Sequence, residues 1–189
     1  MTRIIKEPEE RKQGILDSAM ELFYQSGYEN TSIADIAKRL GISQGLCYRY
    51  FTSKEELFDC AISHYAQQIV AKMTPILCNH NLSLKEKLLN FPSFLKLEAD
   101  NNFYYKVIHT SKNKKIHDQL TLKVCETVIP IVVKQFQIAQ NSNEVTFSDI
   151  DTAASFCVYG QLGILMNEKI ENSQKTNLIR NFLNYVLYI

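Results

Sequence analysis

The sequence predicts an all-α protein, and three observations carry that prediction. Its 189 residues include only four prolines and six glycines, too few for the many tight turns of an all-β chain. Hydrophobic residues, 46% of the total against 22% charged, recur at intervals of three and four rather than two. Serine, threonine and glycine fall where those apolar stripes begin and end, as helix caps do.

The elements follow in order. A first helix starts near Pro8 and carries Ile15, Ala19, Leu22 and Phe23 on one stripe, with Gly27 as its left-handed stop. A second, capped by Thr31 or Ser32, has the stripe Ile33, Ile36, Ala37 and Leu40 and ends at Gly41. Ser43 caps a third, short helix from Gln44 to Phe51. The run Ser53-Lys54-Glu55-Glu56 is a capping box, and a long helix continues from it to about Pro75. Beyond Cys78-Asn79-His80-Asn81, helices are expected near 84–98, 101–110, 113–140, 148–171 and 174–188. Asn141-Ser142-Asn143 reads as a loop, and Pro92 and Pro130 should kink or divide their helices.

Composition narrows the function by exclusion. The net charge is +1, and residues 1–54 hold eight cations against seven acids, so nucleic-acid binding would need placed charges rather than bulk charge. Five widely spaced cysteines without a C-x-x-C pair argue against a disulfide framework or zinc module. They suit buried small hydrophobes in a reducing cytosol, with a redox thiol as the alternative. No apolar run has signal-peptide or membrane-span length, so a cytoplasmic protein without a membrane partner is expected. His64, His80, His109 and His117 are scattered, and there is no H-E-x-x-H and no Gly-rich phosphate loop. Cys60 and His64, four apart, stand without two further ligands. Neither enzyme chemistry nor a metal or cofactor is expected.

The informative segment is residues 31–51, TSIADIAKRLGISQGLCYRYF. Two short helices meet across Gly41-Ile42-Ser43, a turn that needs a residue tolerant of positive φ at its first position. Cys47 and Phe51, four apart, can join Ile42 in the core. The other side of the third helix presents Gln44, Gly45, Tyr48 and Arg49, with Leu46 and Tyr50 flanking. Such a surface suits base edges and phosphates, as a helix in the major groove requires, although a protein interface would use the same residue types.

Residues 9–69 resemble the DNA-binding domain of the tetracycline-repressor (TetR) family. The resemblance rests on G-Y-x-x-T-S-I-x-D-I-A (Gly27 to Ala37), G-I-S-x-G (Gly41 to Gly45) and Y-x-Y-F-x-S-K-E-E-L (Tyr48 to Leu57). It implies a helix-turn-helix at 32–51 inside a DNA-binding domain at 9–69. A helical bundle for ligand binding and dimerisation would occupy 70–189. Thr31, Ser32, Ser43, Gln44, Gly45, Leu46, Tyr48, Arg49, Tyr50 and Lys54 would form the DNA face. Within it Tyr48 and Lys54 look like phosphate clamps. Gln44, Gly45 and Arg49 would face bases or backbone. Cys47 stands where a leucine is usual, and Ala34 where some relatives carry a polar reader.

The aromatics beyond residue 90 read either as plain core or as the lining of an apolar cavity. The candidate lining is Phe91, Phe94, Phe103, Tyr104, Val107, Val128, Ile131, Phe156 and Tyr159. A small-residue face, Ala153, Cys157, Gly160 and Ile164, and a large apolar face, Leu178, Phe182, Tyr185 and Val186, suggest close helix packing. By the resemblance this is a two-fold homodimer interface, and intramolecular burial is the alternative. The implied activity is sequence-specific transcription regulation on palindromic operator DNA. The regulator would be a repressor released by a small apolar or amphipathic effector; a regulator without such a switch is the other reading.

Overall fold

The computed structural model describes residues 7–90, 114–167 and 169–188. Its helices are α1 (Pro8–Ser26), α2 (Ile33–Leu40), α3 (Gln44–Tyr48), α4 (Lys54–Leu77), α5 (Leu84–Asn90), α6 (Lys114–Asn141), α7 (Ile150–Tyr159), α8 (Leu162–Leu165) and α9 (Asn172–Leu187). Among the described residues there is no strand. None of these helices is long and apolar enough to cross a membrane.

Local chemistry sets most of the ends. Pro8 opens α1, with Glu9 and Glu10 in the first turn facing the helix dipole. Gly27 stops it at φ 86°, ψ 155°, positive in φ but not the left-handed helical conformation expected. Ser32 and Asp35 form a reciprocal capping box on α2, which ends at Gly41 with φ 63°, ψ 33°. Ser43 Oγ accepts the Leu46 amide at 3.2 Å to start α3. At α4 the expected box is offset by one residue. Ser53 Oγ accepts from the Glu56 amide at 3.0 Å, but the Glu56 carboxylate turns to the Thr52 amide and hydroxyl at 2.5 and 2.6 Å. Ser83 with Glu86 caps α5, and Asp149 accepts the Thr152 amide at 2.6 Å before α7.

α4 ends at Leu77, close to the expected end near Pro75, and α6 continues through Pro130 without being divided there. Both rings lie on exposed sides, where water can satisfy the carbonyl a proline leaves without a donor. The helix expected over 148–171 is instead divided at Gly160-Gln161 into α7 and α8. There Gln161 Nε2 takes the Cys157 carbonyl at 2.6 Å, the acceptor its own backbone amide would use in a continuous helix. Pro92 and the segment expected to be helical at 101–110 lie outside the described residues.

The chain divides into two compact units. The first holds described residues 7–66 and 114–123, the second 67–90, 124–167 and 169–188. In the first, Ile15, Ala19, Met20, Phe23, Ile36, Cys47, Phe51 and Leu57 are buried, so the α1 and α2 stripes meet the inner side of α3. Phe58 packs edge-on to Phe23 at 5.2 Å and to Tyr28 at 4.9 Å. In the second, Leu84, Phe136, Ala139, Val145, Ala154 and Leu187 form the core, and Phe136 stacks on Phe147 at 4.7 Å.

The carboxylates of the caps share an electrostatic signature. Hydrogen bonds from Ser32 hold Asp35, and those from Thr52 hold Glu56, below the ordinary values of 3.8 and 4.5. Ser83 does the same for Glu86, and Thr152 for Asp149. A carboxylate depressed on folding adds stability above its unfolded pKa and loses it as pH falls through the folded value. The melting temperature is therefore expected to hold above about pH 5 and fall below about pH 4. Asp35→Asn combined with Glu56→Gln should make that acid fall shallower. An unchanged slope in the double variant would show that the caps do not drive it.

Candidate nucleic-acid interface

The turn between α2 and α3 decides which side of α3 faces out. Gly41 supplies the left-handed residue, its amide bonding the Ala37 and Lys38 carbonyls. Cys47 and Phe51 then point inward at 1% exposure each, with Ile42 half-buried beside them. Gln44, Gly45, Tyr48 and Arg49 are consequently exposed, and Leu46 and Tyr50 are half-buried at the flanks. The two cap residues Ser32 and Ser43 are exposed at the starts of α2 and α3. Gly45 has open space where a β-carbon would stand, so nothing within the chain requires a glycine there.

Thr31 departs from its expected place on the DNA face. It is buried, and its hydroxyl donates to the carbonyls of Gly27 at 2.8 Å and Leu22 at 3.2 Å. That hydroxyl ties the α1–α2 loop to the end of α1 and is not presented outward. Lys54 is also engaged. Its Nζ donates to the Tyr28 carbonyl at 3.0 Å and lies 4.2 Å from the centre of the Tyr28 ring. That bond uses one of the three donors of the ammonium, and Lys54 is only half-buried, so the others are left for a phosphate. Burial first, then the charges of Glu55 and Glu29, push the Tyr28 phenol up, so this ring stays neutral beside its cation.

Sequence reasoning missed three supports of this face. Arg39 pairs with Glu21 and donates to Gln25 Oε1 at 3.3 Å, bracing α2 against α1. Tyr28 is the hub for Lys54, and its only signal was its place in the Gly27 to Ala37 motif. Lys115, at the start of α6, approaches Glu29 at 3.7 Å and the Tyr28 ring at 6.0 Å. A lysine pair far along the chain carries no local signal of such a position.

Phe91, Phe94, Phe103, Tyr104 and Val107 lie outside the described residues. Val128 is buried and Ile131 half-buried. Phe156 and Tyr159 need correction, since Phe156 is 76% exposed and Tyr159 also faces out. Their side of α7 lies opposite Ala154 and Val158, which are buried. Ala153 and Cys157 flank Ala154 and are partly buried against the chain's own core cluster. Ile164 is half-buried and Gly160 exposed. Leu178, Phe182, Tyr185 and Val186 are all exposed on α9, whose other side buries Leu183 and Leu187.

All five cysteines are free. Burial raises the thiols of Cys47 and Cys157, and burial followed by Glu126 pushes Cys125 up to about 11. These three thiols stay protonated at neutral pH, as small hydrophobes rather than nucleophiles.

A buried three-helix head with an outward-facing third helix defines a helix-turn-helix domain. The profile of bacterial regulatory proteins of the tetR family matches residues 15–61, the segment that holds this helix-turn-helix. It is 35% identical over 80 residues to the HTH-type transcriptional repressor ComR of Escherichia coli, a match covering 42% of this chain and 38% of ComR. The chain thus spans well under half the length of that relative. Two solved structures share the fold across nearly the whole chain. GusR of Salmonella enterica has a TM-score of 0.70 at 21% identity, covering 99% of this chain and 100% of its own. FadR of Bacillus subtilis, solved in complex with stearoyl-CoA, has a TM-score of 0.65 at 21% identity, covering 90% and 96%.

Proposed function

We propose that this chain is a ligand-responsive, sequence-specific transcription regulator: a cytoplasmic homodimeric repressor released from palindromic operator DNA by a small apolar or amphipathic effector. The observation that carries the reading is the division of α3 into a buried side, Cys47, and an exposed side, Gln44, Gly45, Tyr48 and Arg49. A helix lying in the major groove needs that division. The description of ComR as a repressor and the stearoyl-CoA bound to FadR support the direction of control and the existence of an effector. The mechanism is a population shift. Effector favours a conformation whose two heads are wrongly spaced for DNA, and DNA weakens effector by the same factor. Selection from a pool of random duplexes tests the DNA half, with a palindromic preference expected. Indifference among duplexes would overturn it. A screen of lipophilic and amphipathic compounds tests the effector half; if none alters operator affinity, the chain works without a small-molecule switch.

Lys54 offers a test within this reading. Its remaining donors would give the start of α4 a phosphate contact, whereas Arg49, exposed just after α3, could reach either a guanine or the backbone. Lys54→Ala is expected to weaken operator and scrambled duplex alike. The log–log salt dependence should flatten by about 0.9 for each phosphate that Lys54 would have neutralised. An unchanged salt slope with a lower melting temperature would assign Lys54 to bracing Tyr28 alone.

A further inference from the structure

We propose that Lys87, in the interior of the second unit, is the counter-charge for the carboxylate of an amphipathic ligand. The proposal rests on the ligand-responsive reading above and names the chemistry of the ligand. Lys87 lies on α5 and is only 5% exposed, so its ammonium is withdrawn from water. Nζ donates to Gln135 Oε1 on α6 at 2.8 Å, and Gln135 is itself buried. Gln135 Nε2 in turn points to Cys78 Sγ at 3.9 Å. Both partners are neutral.

Among the described residues no carboxylate pairs with Lys87. The two acids at the ends of this region are held by other donors. Glu86 accepts from the Ser83 amide and hydroxyl, both at 2.8 Å. Glu144 accepts from the Leu84 amide at 2.6 Å and the Ser142 hydroxyl at 3.0 Å. An ammonium carries three donors, of which Gln135 satisfies one. A buried charge without a counter-charge is strongly unfavourable, and proteins normally retain one only where something supplies the opposite sign.

A ligand carboxylate supplies what is missing: one negative charge and two acceptor oxygens. One buried cation balances one carboxylate, whereas a dianionic phosphate would leave negative charge over. The rest of the ligand should be apolar. Leu84 and Phe136 near Lys87 and Gln135 belong to the unit's hydrophobic core, and Leu88 and Val132 pack against it.

The test uses the full-length protein and three probes with the same alkyl chain, below micelle formation: dodecanoate, dodecanol and dodecyltrimethylammonium. Binding is read by calorimetry and by the shift in melting temperature. Dodecanoate is expected to bind at least about tenfold more tightly than dodecanol. The quaternary ammonium should bind most weakly. Lys87→Met should abolish the preference and raise the melting temperature of the ligand-free protein, since it removes a buried charge at similar volume. Lys87→Arg should keep the preference for carboxylate. Equal binding of dodecanoate and dodecanol, no binding of dodecanoate, or a ligand-free Lys87→Met protein that melts lower would each overturn the proposal. Operator affinity is measured separately by gel shift. Should dodecanoate bind through Lys87 yet leave operator affinity unchanged, the carboxylate site stands and the switch reading falls.

Discussion

Phe182→Glu and Tyr185→Glu are each expected to convert the protein from dimer to monomer at micromolar concentration. On α9 these rings are 61% and 75% exposed, alongside Leu178 and Val186, while the opposite side of the helix is buried. An apolar face of that extent on a single chain marks an association surface. A carboxylate placed in it must be desolvated on association without a partner, which disfavours the dimer strongly. Circular dichroism should remain helical, because neither side chain supports the core. Operator binding should collapse. Two linked heads hold a palindrome through effective concentration, and uncoupling them costs about 10²–10⁴-fold in affinity. Light scattering that finds wild type monomeric, or either variant dimeric, would remove this surface from the dimer.

Gln44→Ala is expected to cost about 1–3 kcal/mol per half-site, because its exposed amide can pair with an adenine edge. A palindrome doubles the loss, to between about 30-fold and about 10⁴-fold in operator affinity. Scrambled duplex should be nearly untouched, since phosphate contacts dominate there. Gly45→Val provides a steric counterpart. The chain has open space at that position, so melting should change little while close approach to DNA is blocked. Equal weakening of both duplexes by Gln44→Ala would assign this residue to the backbone instead.

What was legible in the sequence was what local chemistry dictates. Gly41 had to turn, Ser32, Ser43 and Ser53 had to cap, and Cys47 and Phe51 fell on the inner side by spacing alone. What was not legible depended on partners far along the chain. Thr31 reads as a cap from its neighbours, but its hydroxyl is taken by Leu22, nine residues earlier. Lys54 reads as a phosphate clamp, and its hydrogen bond to the carbonyl of Tyr28, 26 residues away, has no local signal. Residues 114–123 group with the N-terminal unit, which no periodicity announces. The small-residue face of α7 suggests close packing because Ala153 and Cys157 are small, and both lie partly buried against the chain's own core. Period alone does not say whose core a small face fills. Pro130 does not divide α6 for a related reason, since a proline's effect depends on whether its turn faces water.

Gly160 has a consequence for reading sequence tolerance. A β-carbon there would stand 2.5 Å from the Phe156 carbonyl oxygen, which already accepts the Gly160 amide at 2.9 Å. Alanine meets that obstacle as fully as arginine does, because the obstacle is backbone. In a saturation screen, position 160 should therefore be depleted of every replacement with little regard to size, charge or polarity. Depletion at a neighbour such as Phe156 should instead track side-chain chemistry. A uniform blank at 160 would reflect the backbone bend between α7 and α8, whatever the residue faces, and would carry no information about a dimer surface.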